Sequence, residues 1–116
     1  MKFLMTYQQD PNMPPASIEK MNAIGAYAQR MMASGKLVMT GGLVRSTHGI
    51  RIERKQGEFI VTDGPFVESK EVIDGFALVE VSGRDEALAL ANEFMSIAGD
   101  GTGEVLQVFE PPGAPR

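Results

Sequence analysis

The sequence predicts an α+β sandwich, one sheet with two helices packed on a single face. Three observations point there. Two segments carry apolar residues at helical spacing and each closes on a glycine. Both are flanked by short runs with strand character, and a turn-centred alternating pattern stands midway along the chain. The resulting order is β-α-β-[β-hairpin]-β-α-β, the split arrangement of a ferredoxin-like sandwich with a hairpin inserted.

Phe3, Met5 and Tyr7 alternate with Lys2, Leu4, Thr6 and Gln8, a period-two pattern for a first strand ending near Gln9. Three prolines and an asparagine between Asp10 and Ala16 make that stretch a loop. Ser17 offers an N-cap hydroxyl, Glu19 suits the first turn, and Ile18, Met21, Ile24, Ala28, Met31 and Met32 recur at helical spacing until Gly35. Leu37 to Leu43 reads as a second strand that becomes irregular at Gly41 and Gly42. Ile50 and Ile52 alternate with Arg51 and Glu53, the turn falls at Lys55, Gln56 and Gly57, and Glu58 to Thr62 returns. Phe76 to Val81 is a nearly continuous apolar strand. Ser82, with Asp85 as a short-armed capping-box partner, opens a second helix whose buried stripe is Ala87, Leu90, Ala91, Phe94 and Ala98. Gly99 ends it, and Gly99 to Gly103 reads as a connector to a last strand, Glu104 to Phe109. A single domain over 1–110 and a loose tail over 111–116 follow.

At 116 residues, with 43% apolar and 22% charged, the chain has the size and composition of one globular domain with a packed core. A net charge of -4 opposes direct contact with a phosphate backbone. The absence of cysteine excludes disulfides, thiol nucleophiles and thiolate zinc sites, and one histidine excludes His-rich metal clusters. No cofactor is expected. With no apolar run of membrane-spanning length and no signal-peptide core near the start, the expected location is cytoplasmic, with no membrane partner.

The stretch TDGPFVESKEVIDGF, Thr62 to Phe76, concentrates turn chemistry and charge. Pro65 fixes its own backbone and restricts Gly64, so Asp63 and Phe66 are aimed along definite directions. Glu68, Lys70, Glu71 and Asp74 complete four carboxylates and one ammonium within twelve residues. If partly enclosed, such a set can perform general acid–base chemistry; if solvated, it is a surface loop with weak ion pairs. Arg45 and His48 lie in the irregular segment and can reach the same end of the sheet to grip an anion or pair with the loop acids. The hydroxyls of Tyr7 and Tyr27 are candidates for a pocket wall or for the core.

Two helices cover one sheet face, yet FALVEV is apolar on both faces and Leu4 backs Phe3 and Met5. Burying that second face requires a partner, and the expected one is a second copy, giving a homodimer.

DGPFVESKEVIDGF resembles the signature of the YCII-related, or DGPF, domain family, and the resemblance extends from MKFLMTY through GRDEALALANE to the final strand. It implies a dimeric α/β barrel of ferredoxin-like subunits with a cleft between sheet and helices. It also places Asp63, Gly64, Pro65, Phe66, Glu68, Lys70, Glu71 and Gly75 at the site. Some relatives in the wider superfamily act on chlorinated or hydroxylated aromatics, and some DGPF domains are associated with sigma factors. Two departures stand out: the first helix lacks the histidine proposed as catalytic in one branch, and the final strand lacks an arginine.

These readings make the expected function binding of an unknown small organic molecule, with aromatic compounds among the candidates. Its sharper form is cofactor-free lyase-like or isomerase-like catalysis by Asp63, Glu68, Lys70 and Glu71, with Phe66, Arg45, His48 and Tyr7 contacting substrate. The alternative is a non-catalytic interaction module linked to sigma-factor regulation.

Overall fold

Side chains along β1 (Lys2–Gln9) alternate between two faces, and the face carrying Phe3 and Tyr7 is buried. The computed structural model describes residues 1–43, 49–63 and 74–111. Within these, β1 is followed by α1 (Ile18–Ala33), β2 (Leu37–Gly42), β3 (Ile50–Lys55), β4 (Glu58–Asp63), β5 (Asp74–Glu80), α2 (Arg84–Ala98) and β6 (Gly101–Gln107). The main sheet has the order β2-β5-β1-β6, with neighbours antiparallel throughout. Two split β-α-β units interleave here, so the fold is the ferredoxin-like α+β arrangement that the element order predicts. The β3–β4 hairpin forms a ribbon of its own.

Ser17 caps α1 as expected, its Oγ accepting from the Lys20 amide at 3.1 Å. Gly35, at φ 79°, ends the helix by donating to the Met32 carbonyl. The face turned inward is Ile24, Tyr27, Ala28 and Met31, not the whole predicted stripe. Ile18, Met21 and Met32 are exposed. Met32 is rotated about 100° from Met31, and the first turns of α1 find little to pack on.

The cap of α2 also differs from expectation. Gly83 occupies the N-cap position, without a side-chain cap, and Asp85 points into solvent. Glu86, one methylene longer, reaches back to accept from the Ser82 amide at 2.9 Å and pairs with Lys36 at 3.2 Å. Arm length decides which acid does this. The predicted stripe of α2 holds: Ala87, Leu90 and Ala98 are buried, with Ala91 and Phe94 half-buried.

The core joins Phe3 of β1 and Val79 of β5 to Val81, Ala87 and Leu90, with Met5, Met31, Leu37, Ala77 and Val105 around them. Tyr27 links the helices, its hydroxyl donating to the Leu90 carbonyl at 3.2 Å. On the other sheet face, Leu4 stands beside Leu78 and Leu106, and Leu78 beside Met39. Met39 and Leu106 are exposed.

Two strand limits move. β5 begins at Asp74, two residues before the apolar run, because Gln8 and Tyr7 pair with Asp74 and Gly75. β6 occupies Gly101–Gln107, not Glu104 to Phe109, because the far half of β1 recruits the glycine-rich segment as its partner. Pairing along β1, more than apolar content, sets the strand.

Candidate functional site

One end of the sheet gathers the last residues of β1 and β2 and the first of β5 and β6. There Gln8 pairs with both Asp74 and Thr102, Gln9 pairs with Gly101, and the Leu43 amide donates to the Asp74 carbonyl at 2.7 Å. A cleft of about 780 Å³ opens at this end. One wall is Gln8, Gln9, Asp10 and Pro11; the second is Asn92, Met95 and Ser96 on the last turns of α2; Gly99 to Thr102 complete it.

Local structure holds each wall in place. Asp10 accepts from the Asn12 amide through Oδ1 at 2.9 Å, and its own amide donates to the Asp100 carbonyl at 3.0 Å, joining the two loops. Gln9 is buried, with Nε2 donating to the Pro14 carbonyl at 3.2 Å. Ser96 donates its hydroxyl proton to the Asn92 carbonyl at 2.7 Å, which leaves Oγ lone pairs as acceptors. Beneath lies Tyr7, whose hydroxyl donates toward the Gly99 and Asp100 carbonyls at 2.8 and 3.1 Å while its ring meets Phe94 edge-on at 5.2 Å. Gly101 makes this possible: a Cβ there would stand 2.7 Å from the Tyr7 hydroxyl.

Asp10 and Asp100 supply acidic residues, the negative pole of α2 ends at the cleft with no basic residue in its last turn, and among the described residues the lining holds no lysine, arginine or histidine. The ammonium of Lys20 stands beside Gly99 of the wall as a counter-charge. The Tyr7 phenol responds to this setting. Its pKa is raised above 10.0, first by burial and then by Asp100 and Asp10. Among the described residues, no group of three His, Cys, Asp or Glu side chains is placed to hold a metal ion.

A model of the YCII-related domain matches residues 1–111. The chain belongs to the YCII-related family. An uncharacterised protein of Rhizobium meliloti (strain 1021) is 34% identical over 99 residues, 82% of this chain and 79% of that protein.

Against the residues singled out from the sequence, the geometry is selective. Asp63, the last residue of β4, is exposed, sits opposite Ile50, and is not part of the cleft wall. Tyr7 is buried under the floor with its hydroxyl engaged by backbone. Tyr27 lies in the helix layer, with Arg30 5.5 Å from its ring centre. Gly75 lets two strands approach, since a Cβ there would meet the Gly41 carbonyl at 2.8 Å. Arg45, His48, Gly64, Pro65, Phe66, Glu68, Lys70 and Glu71 lie outside the described residues. What is visible of the acidic stretch's return is Asp74, which enters the sheet beside Gln8 of the cleft.

Asp10, Asn92, Ser96, Asp100 and Thr102 were not singled out by sequence reasoning. A signal existed: Asn92 and Ser96 are polar residues at i, i+4 on the final turns of α2, directly before the glycine-rich segment. Reading Gly99 to Gly103 as a connector concealed its role as wall and strand.

Proposed function

We propose that this YCII-related protein binds a small organic ammonium compound, with hydroxyl groups alongside the charge, in the cleft between β1, β6 and the end of α2. The observation that carries this reading is the lining itself. Two acidic residues, a helix C-terminus and several neutral polar residues line the cleft, and among the described residues the wall carries no cation. An ammonium group satisfies the carboxylates, and neighbouring hydroxyls match Asn92 and Ser96.

A thermal-shift and calorimetric screen of amino alcohols, alkylamines, phenols and carboxylic acids tests it. A ligand present at 100 times its dissociation constant adds about 2.7 kcal/mol. Amines are expected to stabilise the protein, and Asp10→Asn and Asp100→Asn each to weaken them by about tenfold, equivalent to 1.4 kcal/mol. Selective binding of carboxylic acids, unchanged by either substitution, would overturn the assignment.

The second sheet face, which no described helix covers, supports a second reading, that the working unit is a homodimer. Leu4, Leu78, Leu106 and Met39 form an apolar row across all four strands. Keeping it wet costs on the order of 25 cal/mol for each Å², and a second copy offers the same row in return.

A further inference from the structure

The β3–β4 ribbon packs on itself and, among the described residues, not broadly on any other element. Its turn is well made, with Gln56 and Gly57 both at positive φ, as a two-residue type I′ turn requires. Its register places Ile50, Ile52, Phe59 and Val61 on one face, together with Arg54 and Asp63. All four apolar side chains are more than half exposed, at 63%, 63%, 64% and 53%. A two-stranded ribbon standing alone in water is marginally stable at best, so this one is built to have its apolar face covered. The molecule's dimensions agree. Its radius of gyration is 16.2 Å, against roughly 13.4 Å for a compact chain of this length.

We infer that the ribbon is an arm that packs its apolar face onto a second copy of this chain, against the β6 margin of the partner's sheet. The inference rests on the homodimer proposed above. Three arguments select this occupant. Four strands of about seven residues offer on the order of 450 Å² of sheet face, well short of the roughly 800 Å² per partner of a stable interface. In a two-fold pair each copy buries its own arm face and the strip beneath its partner's arm, on the order of 200 Å² each, and the total then reaches the required size. A two-fold axis running along the strands between facing sheets sets edge strand β2 of one copy beside edge strand β6 of the other, and the arm follows β2 in the chain. Charge also matches: Arg54 stands on the apolar face of the arm, and Glu104 shares the uncovered sheet face with Thr6 and Leu106. Neither side chain has an ion-pair partner among the described residues.

Sedimentation across a dilution series separates the possibilities, using the full chain, Leu78→Glu on the sheet, Ile52→Glu/Phe59→Glu on the arm, Arg54→Glu, and Arg54→Glu/Glu104→Arg. The expected result is a wild-type dimer whose dissociation constant rises by about tenfold or more with the arm double variant, while circular dichroism and the melting of the dilute monomer stay unchanged. Arg54→Glu is expected to weaken the dimer and the charge-exchanged pair to restore it. A dimer abolished by Leu78→Glu but indifferent to every arm substitution overturns the arm and leaves the homodimer standing. A wild-type monomer at micromolar concentration overturns both.

Discussion

At Gly101 a missing side chain sets the depth of the cleft floor. A Cβ would press on the Tyr7 ring and hydroxyl at 2.7 Å and on the Gln8 carbonyl at 2.5 Å, and neither the strand nor a ring braced by Phe94 can yield. Gly101→Ala is therefore expected to destabilise the fold by about 1–3 kcal/mol in urea denaturation. It should also displace the phenol. Both tyrosines have pKa values raised above 10.0: Tyr7 by burial and then Asp100 and Asp10, Tyr27 by burial and then Glu93, with Arg30 opposing. A raised acid holds its proton more tightly when folded. This stability is complete below pH 10.0 and disappears as pH climbs through the folded values. With two tyrosines and no tryptophan, tyrosinate absorbance reads both groups, and Gly101→Ala should return one of them toward 10.0. The alternation in MKFLMTY predicts the strand but is silent on where the Tyr7 hydroxyl goes, because its acceptors lie 92 and 93 residues away.

At the level of elements, the start of α2 depends on Glu86. Its pKa is lowered from 4.5, first by the Ser82 amide and then by Lys36. The carboxylate therefore contributes stability above pH 4.5 that is lost as pH falls through the lower folded value. Glu86→Gln is expected to lower Tm at neutral pH and to flatten its acid decline, a comparison made by melting both proteins from pH 7 to pH 3. Local patterns were enough for both helices, for the Ser17 cap and for the hairpin turn, since each is decided by residues a few positions apart. They were insufficient where a partner decides. Asp74 to Gly75 and Gly101 to Gly103 have little intrinsic strand preference, and join the sheet because β1 presents unpaired backbone opposite them.

The molecule is a thin plate of 44 × 44 × 19 Å, and among the described residues no helix covers its second sheet face. If two plates cover each other, unfolding is coupled to dissociation and Tm rises with concentration. Calorimetry over about a hundredfold range of protein concentration should show that rise, and a constant Tm would count against association. The uncovered face was legible because alternation reports both sides of a strand at once. The cleft was not, since its two walls converge only when β1, β6 and α2 are assembled. One further consequence follows from the edges of the plate. The Val108 amide donates to the Lys2 carbonyl at 2.9 Å and Lys2 pairs with Glu110 at 3.3 Å, while the terminal ammonium donates to the Val81 carbonyl at 2.9 Å. The outgoing strand thus finishes alongside the incoming one, and an amide can replace that ammonium as donor. A circular permutant, spliced from Glu110 to Met1 and cut open at the Gly35 turn, is expected to keep the circular-dichroism spectrum of the parent chain.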